Sequence, residues 1–279
     1  MTFNKLVLEQ YQDPQRLQTR AEYHQKYGLA PTSLIDWVLN QLPLRGDEKV
    51  LDAGCGTGSF LFPLAKRLPK GEIIGIDLVP EMITYIKEKL SPNSNIQVQQ
   101  ADIINLPFAD ETFDIVMANF VLFHIEDIFA AIAECKRVLK SGGLAVFATN
   151  SIHNRGRLES IHRAAQRELS FPEEVIHFPS PFKRFSIEGG GDYLSHHFSW
   201  FEVHTLYNQY VVPETEAVLA YYTSGMIDWA LKNKNIQVPA SRLEQLRQLV
   251  AEKVEQIIHE EGGFRESQLS GFFLAHKSE

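Results

Sequence analysis

Between residues 48 and 150 short apolar runs alternate with stretches of helical period. KVLDAGC, EIIGIDL, IQVQQAD, FDIVMANF and GLAVFATN are brief, rich in Ile, Val, Leu and Ala, and bounded by glycines or acids. Runs of that kind fit strands buried on both faces. Between them lie TGSFLFPLAKRL, PEMITYIKEKL and EDIFAAIAECKRVLK. Pro63 falls in the first turns of the first helix, Pro80 opens the second, and the Gly142-Gly143 pair is expected to end the third. Strand–helix alternation means parallel pairing through right-handed crossovers, with helices on both faces. The pattern predicts an open, doubly wound α/β sheet over residues 46–150.

The flanks follow other rhythms. Residues 1–45 read as a helical cap. Pro14 opens a helix that stops at Gly28, and PTSLIDWVLNQL follows with Leu34, Val38 and Leu42 on one face. Residues 151–198 break the alternation with one helix, RLESIHRAAQREL, then FPEEVIHFPSPFKRF and a flexible run from Gly189 to Asp192. A connection of this length is expected to be a lid or part of the acceptor site. The aromatic residues here and just beyond, Phe171, Phe178, Phe182, Phe185, Phe198, Trp200 and Phe201, are candidates to line a pocket, or simply to pack. Residues 199–279 hold a strand WFEVHTL, one helix ETEAVLAYYTSGMIDWAL, a long charged helix from Ser241 to Glu261, and a last strand LSGFFLAHK.

Composition narrows the function. At 279 residues with 44% apolar and 22% charged, the chain suits one globular domain with a sizeable insertion. Lys and Arg total 27 against 35 acids, a net charge of −8, which disfavours general binding to nucleic acid phosphates. Cys55 and Cys135 have no spacing that suggests a disulfide framework or zinc site. His196 and His197, if on a strand, point to opposite faces and cannot chelate together. No metal is expected. No apolar run approaches the ~18 residues of a membrane span, and the N-terminus lacks a signal-peptide core. The expectation is a cytoplasmic protein without a membrane span, of oligomeric state not set by the sequence.

The chemistry concentrates in VLDAGCGTG, residues 50–58. A strand leads through three glycines into a helix. Glycines allow positive φ and close approach of a ligand, and the helix start offers free N–H groups. The dinucleotide pattern G-x-G-x-x-G/A is missed at Ser59, and no Gly-Lys-Ser/Thr follows to make a phosphate loop. Asp77 closes the second strand, placed to accept from both ribose hydroxyls. Asp102 closes the third, near where a purine edge would lie, although either acid could also be a cap or turn residue.

These residues carry a resemblance. VLDAGCGTG, GIDLVPEM and LPFADETFDIVMANFVLFHIEDIFAAIAECKRVLKSGG resemble the class I S-adenosylmethionine-dependent methyltransferases, in the small-molecule branch that includes quinone methyltransferases. The resemblance implies a Rossmann-like sheet of seven strands, the last antiparallel. It implies S-adenosylmethionine as cofactor and S-adenosylhomocysteine as product. Gly54, Gly56 and Gly58 would pass under the methionine part with Asp52 fixing the loop. Asp77 would hold the ribose, Leu78 and Met82 pack on adenine, Asp102 and Ile103 bond its edge, and Asn119 present its backbone carbonyl to the ammonium. RAEYHQKYG is similar to a lead-in found in some members, which makes Arg20, His24 and Tyr27 further cofactor-site candidates. His124, just beyond the fourth strand, is the candidate general base, or else a histidine that bonds a loop. The acceptor expected is a small, partly aromatic or apolar metabolite methylated on O, N or C. A non-catalytic module that keeps the cofactor fold, and a nucleotide-dependent oxidoreductase, are the alternatives.

Overall fold

A computed structural model describes residues 3–154 and 156–278. The N-terminal cap has three helices: α1 (Phe3–Tyr11), α2 (Pro14–Tyr27) and α3 (Leu34–Asn40). Asp13 starts α2, its Oδ1 accepting from the Gln15 N–H at 3.0 Å, with Pro14 in the first helical position. The core then runs β1 (Lys49–Ala53), α4 (Leu61–Arg67), β2 (Glu72–Asp77), α5 (Pro80–Lys87), β3 (Ile96–Gln100), β4 (Phe113–Met117), α6 (Ile128–Val138) and β5 (Leu139–Asn150). Next come α7 (Gly156–Glu168), α8 (Glu173–Ile176) and α9 (Gly190–Ser195). The chain closes with β6 (Phe201–Val212), α10 (Thr215–Thr223), α11 (Trp229–Lys234), α12 (Ala240–Glu261) and β7 (Phe264–His276).

The seven strands form one sheet in the order β3-β2-β1-β4-β5-β7-β6. β1 to β5 pair in parallel, and β7 inserts antiparallel between β5 and β6. The strand order therefore reverses between β1 and β4, which run parallel, and their carboxyl ends border the crevice where doubly wound sheets take ligands. Apolar layers cover both faces. Leu51, Ile76, Val116 and Phe147 pack under α6 on one side, and Val50, Ile73, Ile115 and Val146 under α3 and α4 on the other.

Several boundaries depart from the pattern. α6 ends at Val138, and Gly142-Gly143 lies inside β5, where the register with β4 shifts between Phe113 and Ile115. β6 continues through Asn208 and Gln209, polar residues at a sheet edge whose backbone is still held by β7. The single helix expected after Pro213 is broken at Ser224–Asp228, around Gly225. The run from Gly189 is not a flexible link. A Cβ on Gly190 would come within 2.6 Å of the Phe273 ring, so α9 starts there because only glycine lets it seat on β7. His196 and His197 follow α9 and are not on a strand. Phe182, Phe185 and Phe198 are buried in the sheet core and Phe171 in the helical layer, so these rings pack in place of lining an open cavity.

Candidate functional site

The glycine turn leaves β1 at its carboxyl end. Gly54, Gly56 and Gly58 all have positive φ, at 83°, 53° and 83°. The Gly54 and Cys55 N–H groups both donate to Ile76 O, at 2.8 and 2.9 Å, which ties the turn to β2. A Cβ on Gly54 would stand 2.6 Å from Val121 Cγ2, so the turn and the segment after β4 touch backbone to side chain. Cys55 is buried, and burial raises its thiol pKa, which makes it a packing residue.

Asp77 ends β2 and organises the turn. Its Oδ2 accepts from the Gly56 N–H at 2.8 Å and its Oδ1 from the Val79 N–H at 2.9 Å. Burial still raises its pKa, against those backbone donors. Asp52 differs. It is 2% exposed, and its Oδ2 has no hydrogen-bond partner. Burial first, and the Asp77 charge second, push its pKa up to about 7. Asn119, past β4, accepts at Oδ1 from the Ala148 N–H at 3.3 Å, while its buried Nδ2 has no partner. Phe120 follows with φ 57°, a left-handed conformation that a bulky side chain adopts only under constraint. Its N–H donates to Ala148 O at 2.8 Å, which supplies that constraint.

The cap lies across these strand ends. Leu17 of α2 is the residue a Cβ on Gly56 would meet, at 3.2 Å. Met82 and Val79 pack with Tyr11, Val7, Leu8 and Leu17, so α1 and α2 cover the β2 rim where Leu78 is half-buried. Asn4 donates from Nδ2 to Asp102 Oδ2 at 3.2 Å, and Ile103 beside it is buried. α1 escaped the sequence reading, though Val7 and Tyr11 at i, i+4 are the signal that marks its inner face.

His124 lies in a single 3-10 turn, Leu122–His124, and is 8% exposed. Its Nε2 hydrogen-bonds the Tyr11 hydroxyl at 2.7 Å, and Nδ1 is buried without a partner. Burial, with the charges of Arg20 and Arg184 behind it, lowers its pKa to about 3. The Trp229 ring stands 6.0 Å from the imidazole, and the Arg20 guanidinium 5.4 Å from the Tyr11 ring. Of the three lead-in candidates only Arg20 reaches this face. His24 bonds the Tyr210 hydroxyl at 3.0 Å, and Tyr27 packs with Tyr23 and Tyr210. Those two side chains face β6 and α10 because α2 runs away from the glycine turn past Leu17. Among the described residues no group of three or more His, Cys, Asp or Glu is placed to hold a metal ion.

Residues 51–147 match the family model described as a methyltransferase domain. Over those residues the chain is similar to methyltransferase domains. The demethylmenaquinone methyltransferase of Staphylococcus carnosus is 41% identical over 110 residues, which is 39% of this chain and 46% of that relative. The chain thus spans just under half the length of such curated relatives. In shape it is similar to Haemonchus contortus phosphoethanolamine N-methyltransferase 2, solved with phosphomonomethylethanolamine and S-adenosylhomocysteine. That likeness has a TM-score of 0.61 at 16% identity and covers 100% of this chain and 61% of the other. It is also similar to the [4+2]-cyclase SpnF, with a TM-score of 0.58 at 16% identity over 100% and 98% of the two chains. At such identities the likeness is one of fold. A cyclase among the neighbours shows that the fold hosts more than one chemistry.

Proposed function

We propose that the chain transfers a methyl group from S-adenosylmethionine to a small, partly aromatic or apolar acceptor. The observation that carries this reading is the pair of buried, unpartnered polar atoms, Asp52 Oδ2 and Asn119 Nδ2, beside the positive-φ glycine turn. A buried carboxylate oxygen with no partner is costly, and an ammonium held there would relieve it. Asp77 keeps further lone pairs for two ribose hydroxyls while its oxygens hold the turn. Leu78, Met82, Asp102 and Ile103 would flank the adenine, which requires the Asn4–Asp102 bond and the packing on Met82 to loosen. The curated relatives, named as demethylmenaquinone methyltransferases, support an aromatic acceptor.

S-adenosylmethionine supplies an electrophilic methyl on a sulfonium. The residues here would supply position, dryness and a route for one proton. Alignment of the two partners is worth up to roughly 7–11 kcal/mol in well-oriented systems. α1 and α2 cover the crevice and exclude water. The imidazole of His124 is neutral at physiological pH, and its Nε2 accepts the Tyr11 hydroxyl hydrogen bond. A proton from an acceptor O–H or N–H would pass through that phenol to Nε2 only where bound negative charge offsets the guanidiniums that, with burial, depress the proton affinity of the imidazole.

Calorimetric titration with S-adenosylmethionine and S-adenosylhomocysteine, with NADH and ATP as controls, tests the cofactor. Micromolar binding of the two sulfur ligands alone is expected. NADH binding in their place would overturn the reading in favour of a reductase. Tritium transfer from methyl-labelled cofactor to extracted quinols then tests the acceptor class.

A further inference from the structure

His124 and two groups brought near it by separate elements, Arg20 and Trp229, are buried or half-buried, each with an atom left without a partner. Arg20 Nη2 comes from α2, Trp229 Nε1 from the start of α11, and His124 Nδ1 from the turn after β4. When Tyr11 donates its hydroxyl proton to Nε2, the neutral imidazole carries its hydrogen on Nδ1. All three orphans are then donors.

The charge balance points the same way. Arg20 gives its Nε–H to Arg16 O at 3.3 Å, and among the described residues it forms no ion pair. Asp228, next to Trp229 in the chain, is engaged elsewhere, 3.9 Å from Arg16 and 2.8 Å from Lys232. The guanidinium lies against the α10–α11 turn, its Nη1 3.4 Å from where a Cβ on Gly225 would stand. Arg184 brings a second guanidinium to the neighbourhood, donating from Nη2 to Ile125 O and Glu126 O at 2.6 and 3.0 Å. The wall beside His124 therefore carries positive charge and unmet N–H groups, and Asp228 is already paired with other cations.

We infer that Arg20, Trp229 and His124 form a subsite for an anionic oxygen, a carboxylate or an acidic phenol, carried by the methyl acceptor. The inference rests on the methyl-transfer reading above. The guanidinium and the indole N–H would fix the anion, and the Phe123 ring, 4.4 Å from the imidazole, would border the body that carries it. Charge at this subsite would also offset the two guanidiniums, so that an anionic acceptor raises the proton affinity of the histidine that serves it. The one other anion of matching chemistry is the carboxylate of the cofactor's methionine.

The test uses benzoate and its neutral isostere benzamide as probes, titrated calorimetrically into the full chain saturated with S-adenosylhomocysteine. Benzoate should bind at least about tenfold more tightly than benzamide, a preference expected from a charge-assisted contact. Arg20→Gln should abolish the preference and leave S-adenosylhomocysteine affinity within about twofold, while Arg20→Lys retains part of it and Trp229→Phe weakens it. Circular dichroism of each variant checks folding. Arg20→Gln that costs affinity for S-adenosylhomocysteine, with no benzoate preference in the parent, assigns the guanidinium to the cofactor carboxylate and overturns the inference. Equal or absent binding of both probes overturns it as well. Failure of the parent to bind S-adenosylhomocysteine refutes the methyl-transfer reading instead.

Discussion

Replacing Asp52 by Asn tests the electrostatics of the crevice. A carboxyl raised from 3.8 to about 7 binds its proton more tightly folded than unfolded. The folded state is then favoured below the unfolded pKa and loses that advantage as pH rises toward the folded one. At 1.36 kcal/mol per unit, the ionised Asp52 destabilises the ligand-free protein by roughly 4 kcal/mol once pH exceeds about 7. The amide keeps the shape and removes the charge. The stability difference between Asp52→Asn and the parent should therefore grow by roughly 4 kcal/mol between about pH 4 and pH 8, in favour of the variant at the alkaline end. Urea unfolding across that range measures it, and taking the difference cancels titrations common to both proteins. Binding should show the reverse sign, with the variant losing affinity for S-adenosylhomocysteine because the ammonium has lost its counter-charge. A difference that stays flat with pH would refute the assignment of Asp52 as an unpaired buried acid.

Gly54→Ala combines a φ of 83° with a Cβ 2.6 Å from Val121, so it should destabilise well beyond Gly142→Ala, whose φ of 73° meets open space and costs only about 1–2 kcal/mol. Equal losses in thermal unfolding would show that the contact with Val121 relaxes freely. His124→Asn should slow methyl transfer about 10²–10⁴-fold with S-adenosylhomocysteine binding retained, and undiminished turnover would leave the histidine a structural role. His162 is buried against the Tyr222 hydroxyl at 2.7 Å, and burial lowers its pKa from 6.5 to about 4. The unfolded chain takes up that proton first, so stability falls as pH drops through 6.5, by about 3 kcal/mol near pH 4. His162→Gln should be free of that loss, and identical acid profiles for variant and parent would contradict it.

The core and the cofactor face were legible where local sequence carries the physics. Gly54, Gly56 and Gly58 are required by backbone angles, and Asp77 by its place at a strand end. The two-fold and 3.6-fold periods mark β1 to β5 and α4 to α6 without reference to the rest of the chain. What failed were features set by distant partners. β6 runs through polar Asn208 and Gln209 because β7, more than fifty residues later, supplies the ladder. The glycines from Gly189 read in sequence as a flexible run, and the Phe273 ring pressed against the second of them sets their place instead. His24 and Tyr27 share a helix with Arg20, and only the path of α2 across the sheet decides that Leu17 and Arg20 reach the crevice while the other two face β6.

The sequence thus determined the doubly wound sheet and its glycine turn, since strand period, positive φ and strand-end carboxylates are properties of contiguous residues. Only the tertiary structure decided that Tyr11 meets His124, that Asp52 and Asn119 are left with unpaired atoms, and that Arg20 and Trp229 both come to the neighbourhood of His124. Each of those depends on which segments fold against one another and on how much water they exclude. Burial turns an ordinary carboxyl or imidazole into one with a shifted pKa, and burial belongs to the assembled chain.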